Sequence, residues 1–435
     1  MALKHGVKYT IGKESKSAPG TAVARSAVLP ISDIGSLDRD ITKKTDPLIA
    51  GLGMDSGEYA VSADVKGGIP LSPRPCAGWG MVLKGIFGTE ATPVEIMGQV
   101  RIRYTGSSGS CKIVCDVTGK TIKSYIGVAG SETLDTNFGT GGTITLTATG
   151  NDTLTELVAL IDAYTDYEAV LVNGLGSGTI ASVKTATYQA KGKWAFLWLT
   201  GSGSGAYLHQ FTPDLTLGTE RDPWSIQVDG AGDNYLYAGN YMNKLSLSAA
   251  LKADLEADLD VLGMTETAGQ TASALTAPTG KPYKFGAGFT SLAGTKYSET
   301  RKHAVAFGNS MLEDGYGQDS LDRSYVERGK FVIDGGEVQL RLTATSILER
   351  PKAETGERVP MQFLYFEVEN SFLLSVKGCM LIELPYAEIS ETPKRLANGD
   401  ILDLDIKFKA FNPGGATDYE PPAIVSILTS DSAAY

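Results

Sequence analysis

The sequence predicts a mainly β protein, and three observations carry that expectation. Glycine is abundant, with 51 in 435 residues, well above average usage. Thr, Ser, Val and Tyr gather in short alternating runs separated by turn-forming clusters. Only two stretches show the spacing of an amphipathic helix. The length suggests about two to four units rather than one, so a small α/β or β-sandwich module is expected inside the β framework.

The first unit, residues 1–93, opens with a polar stretch and continues into the strand-like EYAVSADVKG, after which Gly67-Gly68 reads as a turn. In PCAGWGMVLKGIFG, Trp79, Val82, Leu83, Ile86 and Phe87 fall at helical spacing and Gly88 follows as a C′ residue, which predicts a short helix with one apolar face packed on a sheet. The character changes over residues 94–205. QVRIRYTG, SCKIVCDV and GGTITLTATG read as strands, EAVLVNG and KWAFLWLT as later ones. Between them DTLTELVALIDAYTDY places Leu154, Leu157, Val158 and Ile161 on one side, with Asp152 or Thr153 as cap and Glu156 completing a capping box from Thr153. GSGSG at Gly201–Gly205 has the composition of a flexible linker, so this segment reads as an inserted domain. Residues 206–263 resume the first unit, 264–282 are rich in Ala, Thr and Pro and read as a linker, and 283–435 form a second strand-rich unit. The outer units share a pattern: ADVKGGIPL matches VIDGGEVQL, and NKLSLSAALKADLEADLDVL matches YAEISETPKRLANGDILDLDIKF. A duplication within the chain follows as an expectation.

The most informative run is Ala253–Leu262. In a strand, Asp254, Glu256, Asp258 and Asp260 project to one face and Leu255, Ala257, Leu259 and Val261 to the other. In the second unit Asp403 and Asp405 share a face with Lys407 and Lys409, against Leu402, Leu404, Ile406 and Phe408. Carboxylates about 7 Å apart repel by roughly 0.6 kcal/mol per pair in water, so the ribbon must face solvent. An ordinary solvated strand face meets that requirement, and so does the wall of a water-filled channel. A calcium loop is disfavoured because ADLEADLD lacks the mid-loop glycine.

Other chemistries find little support. A net charge of −11 disfavours a protein that grips nucleic acid by neutralising phosphates. Cys76, Cys111, Cys115 and Cys379 are too scattered for a disulfide framework; half a zinc site at Cys111 and Cys115 would need partners that the isolated His5, His209 and His303 do not supply. The glycine clusters at Gly139 and Gly201 lack the Lys-Ser/Thr of a phosphate loop, and no GxSxG occurs. Neither a secretory signal nor an 18-residue apolar run is read, so no membrane span is expected.

The segments EYAVSADVKGGIPLSPRPCAGWGMVLKGIFGTEATP, YLHQFTP, TERDPW and YLYAGNYMNKLSLSAALKADLEADLDVLG occur in this order, then FGNSMLEDGYG, the turn expected at Gly335-Gly336 and ELPYAEISETPKRLANGDILDLDIKFKAF. This succession resembles the tail tube (major tail) proteins of long-tailed bacteriophages, over nearly everything outside Val94–Gly205. The resemblance implies a β-sandwich or barrel with a flanking helix, assembling into stacked rings around an acidic bore. It makes Asp254, Glu256, Asp258, Asp260, Asp403 and Asp405 candidate lumen-lining residues. It implies no cofactor, no metal and no catalysis. Its implied partners are copies of the same chain, the tail terminator, tape measure and distal tail proteins, and double-stranded DNA passing without adhesion. It places the protein in a virion tail assembled in the host cytoplasm. A ring-bridging N-terminal arm or loop would suit the polar stretch around Asp38–Asp46, and the insert would project outward. Three chains would make a pseudo-sixfold ring if the outer units are copies; otherwise six are needed. The same abundance of Thr, Tyr and Gly suits a β-rich adhesin or carbohydrate-binding protein, which would protect the strand edges a tube subunit exposes. A tail hydrolase would need converging carboxylates, which no spacing suggests.

Overall fold

The computed structural model describes residues 7–45, 58–216, 221–230, 232–313, 315–316, 320–341, 343, 345–369, 372–373, 375–391, 403–412 and 420–435. The chain is mainly β. It starts with β1 (Lys8–Lys13), β2 (Ala27–Val28), β3 (Asp38–Thr45) and β4 (Glu58–Leu71), followed by helix α1 (Ala77–Phe87) and β5 (Gly88–Glu90). The central segment holds β6 (Val94–Tyr104), β7 (Ser110–Asp116), β8 (Thr121–Gly127), β9 (Thr133–Leu134), β10 (Thr143–Thr145), α2 (Leu154–Asp162), β11 (Tyr167–Gly174), β12 (Ser182–Val183), β13 (Ala186–Gln189) and β14 (Ala195–Thr200). Then come β15 (Tyr207–Pro213), β16 (Trp224–Asp229), β17 (Asn234–Ala250), β18 (Glu256–Gly263) and β19 (Thr265–Ala268). The last part contains β20 (Tyr283–Leu292), β21 (Thr295–Tyr297), β22 (Thr300–Gly308), β23 (Val332–Arg341), a 3₁₀ turn at Ser346–Glu349, α3 (Arg350–Thr355), β24 (Arg358–Glu367), β25 (Cys379–Glu391), β26 (Asp403–Ala410) and β27 (Ile424–Thr429).

One set of antiparallel pairings occurs twice. In the first half β1 pairs with β2 and β16, β16 with β17, β17 with β18 and β19, β18 with β4, and β4 with β3. In the second half β20 pairs with β21 and β24, β24 with β25, β25 with β26 and β27, β26 with β23, and β23 with β22. Even an irregularity recurs: β17 shifts register against β18 between Met242 and Lys244, and β25 against β26 between Ile389 and Glu391. Such bulges bend a strand. The N-terminal part of β17 accordingly lies between β16 and β19, and its C-terminal part between β18 and β22. The β17·β22 pairing, Lys244↔Gly308 through Ala250↔Lys302, is the seam that joins the halves into one sheet.

Alternation drives this architecture, because a period of two buries every second side chain. Leu245, Leu247, Leu259, Val261, Val305, Val338, Ile406 and Phe408 all enter one core that runs through both halves and reaches Tyr9, Ile11 and Ile226. Helix α1 forms as its spacing predicts: Trp79, Val82, Leu83, Ile86 and Phe87 are fully buried, each worth roughly 1.5–3 kcal/mol of transfer free energy. It ends at Gly88 with φ 83°.

The central segment has its own core, in which Val100, Ile102, Ile113, Leu154, Leu157, Ile161 and Leu197 meet. Helix α2 begins at Thr153 with both arms of the predicted capping box, Thr153 Oγ1 accepting from Glu156 N and the Glu156 carboxylate accepting from Thr153 N. A second apolar layer, including Trp194, Phe196 and Trp198 on one side and Leu364, Cys379 and Leu381 on the other, seats this segment on β24 and β25.

Several expectations need correction. Neither glycine pair is a turn: Gly67-Gly68 lies inside β4 and Gly335-Gly336 inside β23. Gly67 and Gly336 are there for close approach, and Gly335 for its φ of 60°. A Cβ on Gly67 would stand 2.3 Å from Ser36 O, and one on Gly336 2.4 Å from the Phe408 ring. The GSGSG run is an anchored turn rather than a flexible linker. Gly203 N and Gly205 N donate to Glu95 Oε1 at 2.8 and 3.0 Å, and Ser204 Oγ to Ile96 O at 2.7 Å. Within 264–282, Thr265–Ala268 is a strand on β17 and the chain beyond it is tied down by Ser273 N donating to Asp229 and Arg74 to Gly280 O. The stretch read as suiting an arm or loop is β3, paired with β4 from Asp38↔Lys66 to Thr45↔Glu58, so it is one strand of a hairpin and not a free arm; Asp46 lies outside the described residues. Helix α3 was not foreseen.

Candidate functional site: the polar face of the long sheet

On β18 the alternation is as read: Leu255, Leu259 and Val261 are fully buried and Ala257 nearly so, while Glu256 and Asp258 are exposed and Asp260 half-buried. Asp254 departs from the prediction, because the strand begins at Glu256. A turn through Lys252, with φ 69°, precedes it. Asp254 instead sits 3.4 Å from Lys284 Nζ. It still joins Glu256, Ser248 and Lys302 around one shallow depression of about 90 Å³. On β26, Leu404, Ile406 and Phe408 are buried, Asp403 and Asp405 half-buried, and Lys407 and Lys409 exposed; Leu402 lies outside the described residues.

The structure brings the two ribbons to one face. Directly paired residues point the same way, so the registers can be followed from strand to strand. Glu256 lies opposite Ser248, Ser248 opposite Ala304, Ala304 opposite Glu337, and Glu337 opposite Lys407. Asp258 lies opposite Ser246, then Ala306, then Asp334. Ala250, Lys302, Gln339 and Asp405 make a third row. Four strand spacings of about 4.8 Å put the ribbons roughly 19 Å apart. The residues between them are mostly small or polar.

The ribbons differ electrostatically. Asp403 Oδ1 is 2.9 Å from Arg301 Nε, Asp405 accepts from Gln339 at 2.8 Å, and Lys302 and Lys407 pair with Glu337 at 2.9 Å and Glu391 at 2.7 Å. Asp260 accepts from Asn243 Nδ2 at 2.8 Å. Among the described residues no ion pair engages Glu256 or Asp258. Both carboxylates are exposed, and across the β17 pairing each lies opposite a serine. The layer that seats the central segment uses none of the described residues of this face, on which Glu256, Asp258 and Lys407 are exposed.

The remaining sequence candidates are structural. All four cysteines are free, and burial pushes the Cys111 thiol up to about 12 and raises Cys115 and Cys379 further. No group of His, Cys, Asp and Glu among the described residues could hold a metal ion. His209 is buried between Glu90 Oε1, 2.8 Å away, and Asp431 O, 2.9 Å away. His303 is buried against Tyr365, Phe285 and Phe363; His5 lies outside the described residues. What the sequence reading missed is a buried ionic cluster of Lys193, Glu383 and Glu420, where the central segment meets the second half. A glutamate in the apolar run CMLIELPYAEI was the signal that could have found it. No family model matches this sequence, and neither does any curated protein.

Proposed function

We propose that the chain is a tail tube subunit of a long-tailed bacteriophage, a structural protein that closes its sheet by joining copies of itself around a bore. The observation that carries this reading is the seam between β17 and β22. The chain is read as two copies of one sheet unit, and the seam is how one copy meets the next. By the same rule β3, the counterpart of β22, pairs with a neighbouring chain along the edge that β22 gives to β17. Among the described residues β3 pairs only with β4, so its other edge is available. An open edge with this counterpart favours head-to-tail closure. Two units per chain make three chains sufficient for a pseudo-sixfold ring.

In such a ring the polar face carries Glu256 and Asp258 toward the bore, where unpaired carboxylates repel phosphates and keep DNA from adhering. The central segment, residues 94–205, is then an insert on the outer side. It holds nine acidic and eight basic residues, which leaves ten of the eleven net negative charges on the tube-forming parts. Negative-stain microscopy of the purified chain tests the reading, with rings or tubes as the expected result. Persistent monomer at high concentration together with saturable glycan binding would replace it with the adhesin reading.

A further inference from the structure

The insert does not hang free. Its seat on the second half contains a charge cluster that the tube reading does not use. Lys193, on the insert, bonds to the Glu420 carboxylate, and both are almost fully buried. Gln189 N, on β13, also donates to Glu420, at 3.4 Å. Glu383, on β25, is buried beside them and accepts from Gln362 Nε2 of β24 at 3.0 Å. Gln362 in turn clasps the insert backbone, donating to Trp194 O at 2.6 Å and accepting from Trp194 N at 3.2 Å. The buried phenol of Tyr188 completes the surroundings and stays neutral, its acidity suppressed by burial and by the nearby Cys115, Glu383 and Glu420.

One lysine cannot neutralise two carboxylates. With both ionised, the cluster carries a net negative charge in a dry interface, where an uncompensated charge is costly. With one carboxyl protonated it is balanced. We propose that the seat of the insert on the second half is a proton-controlled latch, closed while the Lys193–Glu383–Glu420 cluster holds one carboxyl proton and loosened once that proton leaves.

The proton resides on Glu383. Burial first, and Glu420 second, push its carboxyl up from 4.5 to about 7, against the opposing effects of Lys193 and Gln362. A carboxyl raised in the closed state binds a proton that the open state releases. The closed state is therefore favoured fully below pH 4.5, loses that advantage as pH rises through 7, and changes little beyond. Opening the seat exposes the apolar layer around it, including the Cys379 thiol, which is fully buried there.

Cys379 supplies the readout. The full chain is labelled with a maleimide between pH 5.5 and 8.5, modification at Cys379 is followed by mass spectrometry, and each rate is divided by that of Glu383→Gln at the same pH, which cancels the intrinsic reactivity of the thiol. The expected ratio rises by more than about tenfold between pH 5.5 and pH 8 and levels off above pH 7. Glu420→Gln, which leaves Lys193 balanced by Glu383 alone, should behave like Glu383→Gln across the range and serves as the reference if Glu383→Gln does not fold. A ratio that stays constant with pH, or a Glu420→Gln protein that keeps the wild-type step, overturns the latch. Neither result would bear on whether the chain forms rings.

Discussion

The two halves use the same pairings but differ in what they attach to them. The first half flanks its sheet with the 11-residue helix α1, anchored by five fully buried side chains, and the second with a 3₁₀ turn and the six-residue α3. Among the described residues the first half leaves Glu256 and Asp258 without ion pairs, while the second ties Asp403 and Asp405 to Arg301 and Gln339. The central segment follows β5 of the first half, yet seats on the second. What is common is the order of strand pairing and the bulge that bends β17 and β25; what varies is everything those strands do not need in order to pair. What the halves share is thus a pairing pattern, while helix, charge and the central segment differ between them.

If the halves are equivalent in their pairing cores, matched truncations should cost alike. Leu259 and Ile406 are fully buried at matching places on β18 and β26, facing Ile69 and Val338. Leu259→Ala and Ile406→Ala should each lower unfolding stability by about 2–5 kcal/mol in urea titrations; a cost confined to one of them would mean that the other half is a passive attachment. The glycine pairs should separate the halves. Gly67→Ala drives a methyl into backbone at Ser36 and should cost about 2–4 kcal/mol, whereas Gly336→Ala meets the Phe408 ring, which can turn, and should cost about 1–3 kcal/mol.

Acid should act on the second half through His303. Burial depresses its imidazole from 6.5 to about 3, so the folded chain holds it neutral while the unfolded chain takes up a proton. That stabilisation is present above pH 6.5 and is lost as pH falls toward 3, by about 2 kcal/mol between pH 7 and pH 5. Amide exchange on β22 and β24 should show the loss, and His303→Gln should flatten its pH dependence without the same change on β18.

The legible parts of this fold were those that depend on local period. Trp79 through Phe87 announced α1, Thr153 and Glu156 announced the cap of α2, and the Leu/Asp alternation announced β18 and its solvent face. The illegible parts depend on what arrives from elsewhere in the chain. Gly67 looks like a turn in isolation, and only the passage of Ser36 and Leu37 across it explains why a strand needs it bare. The run at Gly201–Gly205 looks flexible until Glu95 is placed beside its amides. Sequence order likewise could not show that Asp258 and Asp405 share a face, because that follows from the seam between β17 and β22. Glu383 was hidden for the opposite reason: its neighbours in sequence are apolar, and the lysine that makes its burial tolerable lies 190 positions away, in the central segment.

The smallest expected effect is the most informative about the polar face. Glu256 and Asp258 are exposed, point away from the core and engage no cation among the described residues, so removing their charge takes away no attractive partner. The double variant Glu256→Gln, Asp258→Asn should shift stability by less than about 0.5 kcal/mol, and relief of their mutual repulsion makes a slight gain the natural direction. Asp403→Asn and Asp405→Asn weaken contacts to Arg301 and Gln339 and should cost somewhat more, within about 1 kcal/mol. Thermal unfolding of the four-membered set, wild type included, resolves the order. If neutralising the first ribbon destabilises the chain by several kcal/mol, those carboxylates serve the fold and the bore-facing role loses its ground. If stability is unchanged while assemblies of the variant retain DNA that wild-type assemblies release, then the two acids are kept for what they repel.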